Sequence, residues 1–389
     1  MREMTYGLDV KEVQHLVQSL IRIRTPHPDC NELDIVKYVL SLFEDYEVEK
    51  RVVHHGDNRA SLVIVIKGSD PSGGTAFVGH IDTVDPPYPK SWVHPPYAAD
   101  FEDDRIYGNG ASNAKSGVAA MIAAALYLLR NGIRPQKDAY FCFTADGDGD
   151  GIGAASLCDG GFLDNASEAI FADPTDAQIG IAQKGVLWLE VTARGYCKHV
   201  LEADRSVDPL RRILHMSSEI ESMLCRVPQH ALLGKSKVHI TGVNTGYQWT
   251  CIIPEAITAT LDIRYSPLMK ESSIMEELEN IAAREMREYP DLTVEIKKLI
   301  SRNPIGIAPD APIVRRVDAC FTRLGRKPTK MGLGFYSDSS KIVPRLGIPF
   351  VLLGPGNWIY TDRGDESVSL DATLFVSNVY IDYLTQGTV

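Results

Sequence analysis

Seven cysteines, Cys30, Cys142, Cys158, Cys197, Cys225, Cys251 and Cys320, are scattered without one C-x-x-C pair. Neither a zinc knuckle nor a disulfide framework follows from such spacing. Lysine and arginine never gather into a dense run, and the formal net charge is −11. A protein that tracks nucleic-acid phosphates is excluded on that ground. No apolar run approaches the ~18 residues of a membrane span, and Arg2, Glu3 and Asp9 stand where a secretory apolar segment would lie. Repeats and low-complexity segments are lacking too. The expectation is a reduced, soluble, cytoplasmic chain whose partner is small or protein, not nucleic acid or membrane.

What is present is a core-forming chain of 389 residues, 44% of them hydrophobic, a length that suits two domains. Val10, Val13, Leu16, Val17, Leu20 and Ile21 recur at helical spacing and stop at the breaker-rich TPHPDCN. A second helix is expected over Glu32–Leu42. Strand-like runs at Ala60–Ile66 and Thr75–Val78 follow, the latter leading into GHIDTV. GVAAMIAAALYLL, from Gly117 to Leu129, is small and apolar nearly all round and reads as a tightly packed core helix. Asp138–Thr144 and Glu168–Ala172 are further strands. Three strands thus end in acidic or histidine-bearing turns, where an α/β enzyme presents chemistry.

The pattern changes near Lys184. Strands at Gly185–Arg194, Lys237–Gly242, Ala256–Tyr265 and Leu292–Lys298, with helices at Asp208–Leu224 and Glu271–Glu288, give βαββαβ, an inserted ferredoxin-like sandwich. The α/β pattern then resumes with a helix around Pro312–Leu324, a turn at Gly332–Ser340, the strand Pro349–Leu353 and a last helix Leu370–Leu384. The expected architecture is a catalytic-type α/β domain with a central mixed sheet over residues 1–184 and 303–389, interrupted by an inserted domain over 185–302.

Taken in order, GHIDTV, YGNGASNAKSG, FTADGDGDGIGA, FADPTD, GYCKH, CIIPEA with LDIR, and GIPFVLLGPG resemble the M20 family of zinc aminoacylases and peptidases, which includes acetylornithine deacetylase, succinyl-diaminopimelate desuccinylase and carboxypeptidase G. The resemblance spans nearly the whole chain. It implies the α/β fold with an inserted lid and dimerisation domain, a homodimer through that insert, and domain closure over a cleft.

In that family two zinc ions are held by two histidines, a bridging Asp, a Glu and a further acid, while another Glu takes a proton from the bridging water. A bridging carboxylate offsets repulsion between dications ~3.5–4 Å apart. His80 stands at the first histidine position, Asp82 is placed to orient its ring, and Asp173 stands at the terminal carboxylate. Asn113 occupies the bridging position, where a neutral amide supplies no anionic bridge. Gly147 falls at the catalytic Glu and carries no titratable group. Asp148 follows at the ligand Glu, one methylene shorter. GPGNWIYTDRGDES holds no histidine, so Tyr360, Thr361 or Asp362 takes the last histidine's place, Tyr360 being preferred.

The substrate side looks kept. His199 matches the histidine that polarises the scissile carbonyl, and Arg264 the arginine that grips the substrate carboxylate with a bidentate fork. Cys251 stands where an asparagine is usual. The catalytic candidates are therefore His80, Asp82, Lys115, His199 and Tyr360, and the substrate-binding ones Asn113, Cys251, Arg264, Asp148 and Gly354. Asp146, Asp148 and Asp150 with a turn glycine also imitate a calcium loop, although its twelfth position is Leu157.

The expectation is no cofactor, or at most one zinc on His80, Asp148 and Asp173, with calcium a further alternative. The favoured function is metal-independent chemistry on a carboxylate-bearing N-acyl amino acid or dipeptide-like molecule: amide or ring formation, acyl transfer or dehydration. The alternatives are a binding pseudoenzyme and a mononuclear zinc deacylase or peptidase of reduced activity.

Overall fold

The computed structural model describes residues 6–196, 198–201, 207–246, 249–361 and 363–386. The chain forms two compact units: residues up to Ile181, Ile307–Met331 and Ser337 onward make the first, and Ala182–Gly306 with Gly332–Tyr336 the second.

A nine-stranded mixed sheet organises the first unit. Its central path runs Glu49–His54, Ala60–Ile66, Lys137–Thr144, Asp70–His80, Glu168–Phe171, Phe350–Leu352 and Ile179–Gln183. Asp70–His80 is parallel to both of its neighbours, and Phe350–Leu352 is parallel to Glu168–Phe171. The parallel strands therefore end at one edge of the sheet. His80 pairs with Thr144 and Val78 with Phe171, so the turns that follow these strands emerge side by side.

Helices cover the sheet because each has an apolar face to bury. In Val10–Arg22 the buried residues are Val13, Leu16, Val17, Leu20 and Ile21, and Asp9 caps the first turn by accepting from the Lys11 N–H at 2.9 Å. Helix Ser116–Arg130 is buried almost all round. With the turn before it, Ala111–Arg130 makes a 20-residue apolar stretch, longer than the sequence pattern indicated. Its most apolar window is 89% buried inside the molecule, so it is the core helix of this unit.

The second unit is the expected βαββαβ sandwich. Its antiparallel sheet runs Lys237–Asn244, Ala256–Tyr265, Gly185–Arg194 and Thr293–Arg302. Ala256–Tyr265 alternates strictly between buried and half-buried residues. Its inward side packs with Ile213 and Ile220 of helix Pro209–Arg226 and with Ile274 and Leu278 of helix Glu271–Glu288.

Several elements differ from expectation. The strand ending at His80 begins at Asp70, not Thr75, its extra residues being Gly- and Pro-bearing and outside the apolar run. Glu49–His54 is a strand although it is mostly polar, since it lies at the sheet edge and buries nothing fully. Ile179–Gln183 and helix Ile152–Asp159 also escaped the pattern, being short and Gly- or Ala-containing. The expected turn at 332–340 holds the end of strand Lys330–Leu333 and the start of helix Ser339–Leu346.

Close approach explains one glycine of the core helix. A Cβ on Gly117 would lie 2.3 Å from the Ala172 carbonyl oxygen, so the helix sits directly on the strand end that leads to Asp173. Gly117→Ala is expected to cost about 1–3 kcal/mol, the usual toll of overpacking, measured as a lower urea midpoint at unchanged m-value.

Candidate active site

The site is built at the shared edge of the parallel strands, and its centre is Asp82. Asp82 is fully buried. Its Oδ1 accepts the Gly147 N–H at 2.7 Å and lies 3.4 Å from His80 Nδ1. Its Oδ2 accepts the Asp148 N–H at 3.0 Å and faces His27 Nε2 at 2.9 Å. Burial alone would raise the Asp82 pKa, but the hydrogen bonds from His27 and His80 hold it well below the usual carboxylate range.

His80 points its Nδ1 at Asp82, reaching the Asp82 carbonyl oxygen at 3.1 Å, and its Nε2 at Asn113 Oδ1 at 3.0 Å. Asn113 Nδ2 donates to Asp148 Oδ1 at 3.0 Å. A carboxylate accepts only, so that contact fixes the amide orientation and leaves the Asn113 oxygen for His80. Asp148 Oδ1 is 4.0 Å from His80 Nε2. Burial would lower the His80 pKa, yet Asp148, then Asp82 and Asp338, raise it well above its ordinary value.

Asp173 is buried, and burial pushes its pKa up to about 6 against the opposing hydrogen bond with Ser337 and the His80 charge. Among the described residues its Oδ2 has no hydrogen-bond partner. Asp338 adds negative charge to the same region, raising both His80 and Asp173, and accepts the Thr144 hydroxyl at 2.5 Å.

Position 147, where the resemblance would put a general base, leaves no room for a side chain. A Cβ there would fall 2.3 Å from His80 Cβ and 2.5 Å from its Cγ. The loop backbone lies directly against the imidazole, and no side chain fits unless His80 moves. A Cβ on Gly149 would meet Asp146 Oδ1 at 2.5 Å and His27 Cε1 at 3.0 Å. The DGDGDG loop is thus pressed between two histidines.

The other predicted residues have partners of their own. Lys115 is fully buried with its Nζ donating to the Ile23 carbonyl at 2.7 Å, and burial lowers its pKa to about 7. Tyr360 lies beneath the Arg105 guanidinium at 4.6 Å from its ring centre. The Thr361 hydroxyl donates to the Trp358 carbonyl, and Asp362 lies outside the described residues. Gly354 packs on the backbone of Asp173, where a Cβ would be 2.3 Å from that carbonyl oxygen.

In the second unit, His199 is exposed, on a short strand paired with Ile252–Ile253, and the Cys251 carbonyl accepts the Val200 N–H. Arg264 already grips Asp262 through Nε at 2.7 Å and Nη2 at 2.9 Å.

Sequence reasoning passed over His27, Glu366 and Asp338. Glu366 is buried and accepts the N–H groups of Gly110, Ser112 and Asn113 at 3.0, 2.8 and 3.0 Å, fixing the turn that carries Asn113. Its only signal was its spacing after GPG.

The calcium alternative is not supported by the loop's geometry. Asp146 turns to Arg59 at 2.8 Å, Asp148 to Asn113, and the exposed Asp150 to Lys341 at 3.3 Å. Three carboxylates that diverge make no oxygen cage.

A mixed α/β unit thus carries a His/Asp group at its parallel-strand edge, in a chain with a ferredoxin-like insertion. Residues 76–386 match the description "Peptidase family M20/M25/M40", and the chain belongs to that family. A probable succinyl-diaminopimelate desuccinylase of Staphylococcus epidermidis is 23% identical, the match covering 94% of this chain and 95% of its own. A succinyl-diaminopimelate desuccinylase of Paracoccus denitrificans is 29% identical over 49% of this chain and 52% of its own. The M20 metallo-carboxypeptidase of Sulfolobus solfataricus superposes with a TM-score of 0.79 at 17% identity, covering 96% of this chain and 98% of that one. A dinuclear metal-binding M20 peptidase of Bacillus subtilis gives 0.69 at 17% identity, with the same coverage. At such identities these structures carry the fold.

The expectation that no cofactor belongs here is overturned. The family's solved members include that dinuclear metal-binding peptidase, and His80, Asp82 and Asp148 bring ligand atoms within 4.8 Å of one another. The favoured reading of metal-independent chemistry loses its basis with it, and the zinc deacylase alternative is the better supported.

Burial of Lys115 sets a pH dependence. Its folded pKa near 7 lies below the ordinary 10.5, so between these values the unfolded chain holds a proton the folded chain has released. Stability then rises with pH across that window, and the full cost of burying the cation is present below it. Lys115→Met is expected to flatten the rise, seen by comparing urea midpoints of the two proteins at about pH 6.5 and 9.5.

Proposed function

We propose that this chain is a zinc-dependent deacylase or peptidase of reduced activity, with zinc held by His80, Asp148 and Asp173. The observation that carries the reading is the buried Asp173 Oδ2, which has no hydrogen-bond partner among the described residues, at a carboxylate whose pKa burial raises to about 6. A buried acceptor with no donor is costly alone and suited to a cation. Imidazole and carboxylate are the donors zinc accepts. Asp82, whose two oxygens are taken by backbone N–H groups and histidines, serves better to orient His80 than to bind the ion.

When bound, zinc supplies a Lewis acid and an acidified water. The chain's own residues do the rest. Glu366 and Asp148 hold Asn113, whose amide oxygen stands beside His80 Nε2. At the bridging position this neutral amide offers no anionic oxygen, and nothing at Gly147 can take a proton. Both changes point to turnover well below that of a fully equipped relative. A missing general base alone costs about 10²–10⁴-fold.

The substrate class follows from the relatives, whose names specify an N-succinyl amino acid or a peptide: an N-acylated amino acid or short peptide with a free carboxylate. Arg264 is the proposed carboxylate partner, and the inserted unit the proposed dimerisation surface.

The test is elemental analysis of protein purified without added metal, with hydrolysis of N-succinyl and N-acetyl amino acids and dipeptides followed in zinc and in chelator. At least one zinc per chain is expected, with slow hydrolysis that chelator and His80→Gln both abolish. Protein that neither retains nor takes up zinc, or that cleaves none of these substrates when loaded, would overturn the reading.

A further inference from the structure

We propose that His27 is a positioning residue for the metal-binding group, holding the Asp82 carboxylate that in turn orients His80. It rests on the reading of His80 as a metal ligand, and it adds a third member to the His80–Asp82 pair.

The TPHPDCN segment is laced to the strand end that carries the site. The Thr83 N–H donates to the Thr25 carbonyl at 2.9 Å, the His27 N–H donates to the Thr83 carbonyl at 2.9 Å, and the Thr25 hydroxyl donates to the Ile81 carbonyl at 2.7 Å. Pro26 and Thr83 form a parallel bridge. Residues 25–27 thus run alongside 81–83 as a short added strand, and Cys30, buried, returns its N–H to the Pro26 carbonyl at 2.9 Å. The imidazole is placed by backbone hydrogen bonds on both sides.

Its Nε2 meets Asp82 Oδ2 at 2.9 Å. Its far side is closed by the DGDGDG loop, where Cε1 sits 3.0 Å from where a Gly149 Cβ would be, and Asp146 Oδ1 is 3.9 Å from Nε2. Arg59 bridges Asp146 and Glu32 at 2.8 Å each, so Asp146 is held and His27 has a fixed wall. Remove the imidazole and, among the described residues, Asp82 Oδ2 keeps only the Asp148 N–H. A buried carboxylate that loses a charge-assisted hydrogen bond gains freedom to rotate, and both His80 and the Asp148 backbone are tied to it.

The experiment compares the full chain with His27→Ala and His27→Gln. The glutamine amide can donate to Asp82 from nearly the same place. Zinc dissociation constants are measured by competition with a chromophoric chelator, and His80 is observed in the metal-free chain by 15N NMR of labelled histidines, with urea melts as the fold check. His27→Ala is expected to weaken zinc about 10–100-fold, the usual effect of losing an outer partner, and to shift the His80 ring-nitrogen resonances. His27→Gln should restore affinity to within about threefold and return the resonances. Wild-type affinity and unchanged His80 resonances in His27→Ala would overturn the proposal. Should the unaltered chain bind no zinc, the functional reading fails, and the metal-free resonances still decide whether His27 positions His80.

Discussion

Everything at this site hangs on one buried carboxylate. Asp82 is reached by two histidines and by two successive backbone N–H groups of the DGDGDG loop. A buried anion persists only where its hydrogen bonds are complete. Its retention therefore fixes three segments at once: TPHPDCN through His27, the strand end through His80, and the loop through Gly147 and Asp148. The orientation of His80 and the path of the loop are two consequences of the same requirement.

The sheet makes that convergence cheap. Parallel strands 70–80, 137–144 and 168–171 end at one edge, so GHIDTV, TADGDGDG and ADPTD leave the core beside one another without long loops. The core helix Ser116–Arg130 sits close beneath, touching the Ala172 carbonyl where Gly117 has no side chain. The turn before that helix carries Asn113, and Glu366 pins it by three backbone N–H groups. Packing of small residues thus sets how near Asn113 can come to His80.

Much of this was legible in the sequence where periodicity and motif order agreed. The βαββαβ insertion followed from alternating strands such as Ala256–Tyr265 and from amphipathic helices such as Glu271–Glu288. His80, Asp82, Asn113 and Asp148 were read from motif positions, and the structure places them within hydrogen-bond reach of one another. Less was legible where a role depends on partners distant in sequence. His27 looked like punctuation in a turn, since nothing local shows that residues 25–27 run along 81–83. Lys115 lies two residues from Asn113 in sequence, yet its amine turns inward to the Ile23 carbonyl. Charge type marked it as a candidate, and only packing shows where the charge goes.

The two substitutions that most alter the expected chemistry are coupled through His80. Glycine at 147 lets the loop backbone rest on the imidazole, which brings the N–H groups of Gly147 and Asp148 onto Asp82. Asparagine at 113 then meets the other end of the same ring, accepting at its oxygen and donating onward to Asp148. A carboxylate at 113 could not donate to Asp148. Two anions would face one another there, and one of them would have to be protonated or neutralised by additional positive charge. The neutral amide at 113 therefore lowers the positive charge needed to hold the cluster together. A carboxylate side chain placed at 147 would have to displace His80 first, so a base at that position and the present histidine position exclude each other by contact distance alone.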